Sequence, residues 1–204
     1  MNHTDKTKNI YIDCGTHLGQ GLIEFYKMFN MDPTWDIYTF EPNPYTLQLF
    51  IKYNQDFIRH NDVKYYNNAV STHYDIVTFN IDNRPGEGPI GMGSSIMPLD
   101  NWNPTDGTNH ENFNLTVEAD CINLREFIET FSKNDNIVLK LDVEGAEYDI
   151  LEDFIQYNTL DYINHLYVEF HSEMFINSDE FKKREDNILK VLNSKQHLNF
   201  TRWH

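Results

Sequence analysis

Apolar positions along the chain fall into two alternating kinds of run. Short β-branched runs stop at a glycine or a carboxylate, and longer stretches with apolar residues three and four positions apart follow them. "NIYIDCG" (9–15) is of the first kind and "LGQGLIEFYKMFN" (18–30) of the second, which predicts a strand, a glycine loop and a helix. "WDIYTFEPNP" (35–44) and "PYTLQLFIKYNQDFI" (44–58) repeat the unit, with the strand stopping at Glu41 and Pro42. "VKYYNNAVS" (63–71) reads as a third strand, and "DIVTFNID" (75–82) alternates as a half-exposed antiparallel strand does.

Two loop-like stretches follow, the Gly- and Pro-rich "NRPGEGPIGMGSS" (83–95) and the polar "DNWNPTDGTNHEN" (100–112). "NLTVEADCI" (114–122) reads as a strand and "NLREFIETFSK" (123–133) as a helix capped by Asn123, with Glu126 at the capping-box position. "NIVLKLDV" (136–143) is a nearly unbroken apolar strand with a helix starting near Gly145. A strand "YINHLYVEFH" (162–171), a helix over 178–194 and a short strand "HLNFTRW" (197–203) complete the pattern. Alternating strands and helices with short loops predict an α/β fold, a doubly wound, mostly parallel sheet carrying an inserted β-hairpin region. In such sheets ligands bind beyond the carboxyl ends of the strands.

A length of 204 residues suits one domain. The absence of a run of about 18 apolar residues, and of an apolar segment in "MNHTDKTKNI", predicts a soluble cytoplasmic protein without a signal peptide or membrane insertion. Cys14 and Cys121 are the only cysteines, so no disulfide framework is expected and the sequon "NLT" (114–116) reads as accidental. Sixteen Lys and Arg against 32 Asp and Glu give a net charge of −16, which argues against a nucleic-acid partner. The one basic cluster, Lys182, Lys183 and Arg184, reads as the solvated face of a helix.

The first glycine loop, "DCGTHLGQG", has the spacing G-x-x-x-G-x-G rather than the G-x-G-x-x-G of a dinucleotide fold. Gly15 and Gly19 permit close backbone approach at a helix N-terminus, and Asp13 can accept hydrogen bonds from an ammonium group or from the loop. Glu41, 26 residues after Gly15, ends the second strand where a carboxylate can bind both hydroxyls of a ribose. Asn68 and Ala69 stand where an amide can read an adenine edge; a turn-forming asparagine is the other reading.

These motifs, with "GSS", "VEADCINLREFI" and above all "LKLDVEGAEYDIL" (139–151), resemble the FkbM-type S-adenosylmethionine-dependent methyltransferases, a branch of the class I (Rossmann-like) methyltransferases. The resemblance runs from about residue 9 to residue 171. It implies S-adenosylmethionine as cofactor and S-adenosylhomocysteine as product, with Asp13, Gly15, Thr16, His17 and Gly19 around the methionine portion. It further implies Glu41 and Pro42 at the ribose, Asn68 and Ala69 at the adenine, Ser94 and Ser95 closing the site, and Asp142 facing the methyl group. Thr16 and His17 stand where the family usually has Ala-Asn, which leaves the contact of residue 17 open. The family fold usually adds a seventh strand, so either a shortened C-terminal edge or one domain of a longer protein is expected.

Methyl transfer from a sulfonium is an in-line displacement, and an alcohol acceptor must lose its proton to a base or a metal-bound group. Strand alternation puts Lys140, Asp142 and Glu144 on one side of the strand at 136–143 and its continuation, and Glu169, His171 and Glu173 on one side of the strand at 162–171 and its continuation. Asp142 is then the residue that orients the acceptor, with His171 or Asp142 itself as base, and Lys140 and Glu144 beside them. Glu144 is also a candidate helix cap or metal contact, whereas Glu147 reads as a carboxylate favouring the helix N-terminus. Asp142, Glu144, Glu169 and His171 offer metal-binding atoms, but no spacing is diagnostic and metal-free transfer is the favoured reading.

The family methylates hydroxyls, especially on sugars and natural products, and Trp102 and Phe113 suit either stacking on a sugar ring or an ordinary loop anchored by a buried tryptophan. A sugar or glycan O-methyltransferase is therefore the first expectation. The alternatives are a small-molecule or lipid-linked acceptor, a nucleotide-binding oxidoreductase domain of the same fold, and a cofactor-binding module without catalysis.

Overall fold

A computed structural model of the chain describes residues 7–103 and 110–203. Most of the N-terminal segment judged not to be a signal, and the stretch 104–109 of the polar loop, lie outside the described residues. In chain order the elements are β1 (Asn9–Cys14), α1 (Gln20–Met28), β2 (Asp36–Phe40), α2 (Pro44–Tyr53), α3 (Gln55–His60), β3 (Lys64–Tyr66), β4 (Asn68–Ser71) and β5 (Asp75–Ile81). They continue with β6 (Leu115–Asn123), α4 (Leu124–Ile128), β7 (Asn136–Leu141), α5 (Glu147–Tyr157), β8 (His165–Val168), α6 (Ser178–Ser194) and β9 (Asn199–Arg202).

Six strands form a sheet in the order β3-β2-β1-β7-β8-β9, and every pairing in it is parallel. The unbroken apolar character of β1 and β7 follows from burial on both faces. Ile10, Ile12 and Cys14 of β1, with Ile137, Leu139 and Leu141 of β7, face a core shared with Leu151 and Phe154 of α5 and Ile188 of α6. The alternate residues Tyr11 and Val138 face Leu22 and Phe25 of α1 and Phe50 of α2. Each of these buried side chains contributes roughly 1.5–3 kcal/mol relative to exposure. The strand order reverses between β1 and β7, so the crevice for a ligand opens above their carboxyl ends.

Three predicted elements divide or shorten, each for a local reason. The strand at 63–71 splits into β3 in the main sheet and β4 in a small sheet of order β4-β6-β5. Asn67 makes the break, because its side-chain amide donates to the carbonyls of Glu41 (2.8 Å) and Pro42 (2.9 Å). The helix at 44–58 divides at Asn54, whose amide donates to the Phe50 and Leu18 carbonyls at 2.9 and 3.1 Å. The helix after Asn123 stops at Ile128, although Asn123 caps it as expected by accepting from the Glu126 N–H at 3.1 Å. The antiparallel β5 pairs with β6, which realises the inserted hairpin region as part of the small sheet. At the C-terminal edge β9 lies parallel to β8, and it is the edge strand of the sheet among the described residues.

Cys14 and Cys121 are both buried and unpaired. Among the described residues no helix is long and apolar enough to cross a membrane. Lys182 and Arg184 pair with Glu173, Asp149 and Glu152, consistent with the solvated helix face expected of that cluster.

Two charged residues interrupt the apolar rows that face α1. Asp13 of β1 and Lys140 of β7 are register partners in the parallel pair, and both are buried. The Lys140 Nζ lies 3.4 Å from Asp13 Oδ1 and 3.0 Å from Asp142 Oδ2, and it donates to the Gly15 carbonyl at 3.1 Å. Burial alone would depress the ammonium, but the Asp13 and Asp142 carboxylates outweigh it and raise its pKa, so the group stays charged. Removing the cation leaves Asp13 buried without compensation. Lys140→Met is therefore expected to lower the unfolding free energy by roughly 3–5 kcal/mol in urea titration. A loss below about 1 kcal/mol, the range of an exposed pair, would show that the ammonium does not hold the strand ends together.

Candidate active site

The glycine loop leaves β1 through a turn that only glycine makes without strain. Gly15 has φ +80°, and a Cβ there would be driven into the Asp142 carbonyl. The N–H groups of Gly15 and Thr16 both donate to the Phe40 carbonyl, at 3.0 and 3.2 Å, which locks the loop to the end of β2. The Thr16 hydroxyl donates back to the Asp13 carbonyl at 3.2 Å. Gly19 caps α1 at φ +89° and lies against the Phe50 ring, so it shapes the entry of the helix from behind the site.

Residue 17 has two contacts. The His17 N–H donates to Glu41 Oε2 at 2.8 Å, and its ring Nε2 donates to the Ile90 carbonyl at 2.8 Å. Glu41, buried at the end of β2, accepts a second backbone bond at Oε1 from the Asn43 N–H at 2.9 Å. Burial raises its pKa to about 7, against the lowering effect of those two donors and of Lys140. Asn43 also caps α2 through its side-chain oxygen and donates to the Pro89 carbonyl at 2.9 Å.

His17 and Asn43 therefore hold the stretch 83–95 over the carboxyl edge of the sheet. Asp82 anchors the same stretch from inside. Its carboxylate pairs with Arg84 at 2.7 Å, and its carbonyl accepts from the Gly91 N–H at 2.8 Å. Ser94 accepts from the Asp82 N–H at 2.9 Å and donates to the Gly91 carbonyl at 3.1 Å. Ser95 donates to the Glu144 carbonyl at 2.6 Å, joining this wall to the loop after β7.

On the other side of Gly15, Asp142 follows β7 and Glu169 follows β8. Glu144 has φ 51°, a left-handed conformation costing about 1–2 kcal/mol, and Gly145 has φ +105° with Phe175 and Met97 crowding the space of a Cβ. This double turn points Glu144 back toward the end of β8. The helix α5 begins at Glu147 with Ala146 as its cap, so Glu144 is not a helix cap.

His171 is held in the middle of this acidic group. Its N–H and Nδ1 donate to Glu147 Oε1 at 3.1 and 3.0 Å, while Glu147 Oε2 accepts the Gly145 N–H at 2.8 Å. Nε2 faces Glu144 Oε2 at 3.4 Å, Glu169 Oε1 at 3.9 Å and Asp142 Oδ1 at 4.0 Å. Burial works against the charged imidazolium, but Glu147, Glu144 and Asp142 outweigh it and raise His171 to about 10. That differs from the near-neutral base expected of an unperturbed histidine. Burial and the neighbouring carboxylates likewise raise Glu144 to about 8, against the opposing effect of His171.

These parts enclose one cavity of about 510 Å³, a size suited to a small-molecule ligand. Gly15, Thr16, His17, Glu41, Pro42, Asn68, Ala69, Ser94, Lys140, Asp142, Glu144 and His171 all line it. Asp13, Gly19 and Ser95 are not among the lining residues; they act on the wall from behind. The Asn68 amide donates to the Asp120 carbonyl at 3.3 Å. Glu173 is exposed and paired with Lys182, away from His171.

Trp102 and Phe113 are buried, and Trp102 packs on Phe175 with ring centroids 5.4 Å apart, so neither presents a stacking face. Trp203, which lines the cavity while its ring packs on Phe25 with centroids 4.8 Å apart, was not singled out by the sequence; nor were Phe79, Arg84 and Met92. Glu147 was assigned only to the helix terminus. The residue pair Asn43-Pro44 was the available signal for the cap that also fixes the loop.

The Methyltransferase FkbM domain model matches residues 13–198. Among solved structures, the methyltransferase FkbM from Methylobacillus flagellatus KT is similar with a TM-score of 0.51 and 12% identity. The similarity covers 91% of this chain and 37% of that one, and at this identity it establishes the α/β fold. Comparison with curated proteins gives no match. With the domain match running from the end of β1 to the residue before β9 and the cavity at the carboxyl edge of the sheet, the chain belongs to the FkbM methyltransferase family.

Proposed function

We propose that the chain is an S-adenosylmethionine-dependent O-methyltransferase, working as a single domain on a hydroxyl of a sugar or glycan. The observation that carries the reading is one cavity with two chemically different ends on either side of Gly15. At one end Glu41 offers a carboxylate to ribose hydroxyls, and Asn68, Ala69, Phe79 and Ile96 supply an apolar, amide-edged wall for adenine. At the other, Asp142, Glu144 and Glu169 meet His171. A sulfonium between them has Asp142 nearby to compensate its charge.

Asp142 orients the acceptor hydroxyl in line with the methyl carbon and sulfur, and the carboxylate wall of Asp142 and Glu169 receives its proton. Lys140 fixes Asp142, while His171, clamped by Glu147, shapes the wall as a charged positioning residue in the free protein. An acidic acceptor end favours a neutral polyhydroxylated ligand over an anion.

Incubation with methyl-labelled S-adenosylmethionine and a panel of sugars, oligosaccharides and polyhydroxylated small molecules tests the reading. Labelled methyl ethers are expected, and Asp142→Asn should lower kcat by about 10²–10⁴-fold while S-adenosylhomocysteine affinity stays within a few fold. Unchanged transfer by Asp142→Asn would overturn the assignment of that residue.

Ionised Glu41 is the form that accepts ribose hydroxyls, and its pKa in the free protein is about 7. Affinity for S-adenosylhomocysteine should therefore weaken as pH falls below 7, by up to roughly tenfold per unit. Glu41→Gln should bind about 10–100-fold more weakly near neutrality and lose most of this slope, with calorimetry at several pH values as the measurement. The raised pKa also makes Glu41 cost stability progressively as pH rises from 4.5 to about 7, with no further change above. A slope shared equally by native protein and variant would remove Glu41 from the cofactor site.

A further inference from the structure

Resting on that reading of the acidic end as the acceptor site, we propose that Asp142, Glu144 and His171 bind a hard divalent cation of the Mg²⁺ or Mn²⁺ class, which holds the acceptor oxygen. One ligand atom from each of the three residues lies within 4.8 Å of the other two. Neighbouring ligands of an octahedral ion of this class are about 3 Å apart. The separations of His171 Nε2 from Glu144 Oε2 and Asp142 Oδ1, 3.4 and 4.0 Å, need a closure of no more than about an ångström to reach that spacing.

Two features distinguish this group from a chance meeting of acids. His171 is only 5% exposed, and its position is fixed on both the ring and the backbone side by Glu147 Oε1. Glu147 is held in turn by the Gly145 N–H, so the imidazole is oriented with Nε2 toward Asp142, Glu144 and Glu169. A carboxylate behind a histidine ligand is the arrangement that fixes the ring and strengthens its basicity toward a metal. Glu144 Oε2, in turn, is buried and accepts no hydrogen bond among the described residues, with His171 Nε2 facing it at 3.4 Å as an ion-pair contact. A buried carboxylate oxygen that accepts no hydrogen bond costs free energy that a cation recovers.

Asp142 offers Oδ1 to this group while Lys140 engages Oδ2, so ligation does not dismantle the buried ion pair. Two carboxylates and one imidazole suit Mn²⁺ or Mg²⁺ better than a thiolate-seeking ion, and three protein ligands leave positions for water and an acceptor oxygen. Binding displaces any proton from Nε2.

The coordinated hydroxyl releases its proton to Glu169, whose side chain is 32% exposed and can pass it to solvent. The oxygen's electron pair then forms the O–CH₃ bond as the C–S bond breaks, its electron pair remaining on sulfur. The products are a methyl ether and neutral S-adenosylhomocysteine.

Mn²⁺ titration of the folded chain, followed by electron paramagnetic resonance, reads the site without relying on turnover. One bound ion per chain is expected, with affinity reduced at least tenfold by His171→Ala and by Glu144→Gln, and 10–100-fold by Glu147→Gln. Glu173→Gln, at an exposed acid outside the cluster, should leave it unchanged. ¹⁵N-histidine labelling should alter the Mn²⁺ spin-echo modulation of the native protein and not of His171→Ala.

No bound Mn²⁺ at about 1 mM, or equal binding by native protein and Glu144→Gln, would overturn the proposal. S-adenosylhomocysteine calorimetry on the same samples separates the two readings. Cofactor binding without Mn²⁺ binding removes the metal alone, whereas Mn²⁺ binding without cofactor binding removes the methyltransferase reading.

Discussion

The buried ammonium of Lys140 is the constraint on which the carboxyl edge of the sheet depends. It sits where β1 and β7 would otherwise meet as apolar rows, and it binds Asp13, Asp142 and the Gly15 carbonyl at once. Two segments distant in sequence are thereby fixed at one point: the end of β1 with its glycine turn, and the start of the loop after β7. Replacing the arrangement by apolar side chains is compatible with folding in principle, because buried ion pairs stabilise little in net terms. What the charges add is position, since Asp142 receives a fixed orientation from one oxygen and keeps the other for the cavity.

The same economy recurs at the other corners of the site. Glu41 accepts two backbone N–H groups before meeting any ligand, so its carboxylate is already oriented. Glu147 holds His171 and Gly145 together, coupling the end of β8 to the turn before α5. His17 and Asn43 tie down the stretch 83–95, turning a Gly- and Pro-rich connection into a wall. A site built in this way is preorganised on the ends of parallel strands, where the peptide ladder supplies rigidity.

Much of the main sheet was legible because its strands are buried on both faces and read as apolar runs, while the helices retain their own period. Glu41 and Asp142 were legible for a related reason: a carboxylate that ends an apolar strand stands at the ligand edge. The split between β3 and β4 was not, because Asn67 acts through amide contacts to Glu41 and Pro42 that no local propensity encodes. Glu147 looked like an ordinary helix-terminal acid because its partner, His171, lies 24 positions away. Trp102 illustrates the converse: an aromatic in a polar loop reads as a sugar platform or as a buried anchor, and only tertiary packing on Phe175 decides for the anchor.

The central claim is that one cavity receives an adenosyl cofactor with its ribose at Glu41 and its sulfur toward Asp142. A crystal structure of the chain with S-adenosylhomocysteine measures this directly. The account predicts both ribose hydroxyls within about 3 Å of the Glu41 carboxylate oxygens, with the sulfur directed to the Asp142 and His171 end. A ligand whose ribose lies away from Glu41, or whose sulfur points away from Asp142, would contradict it.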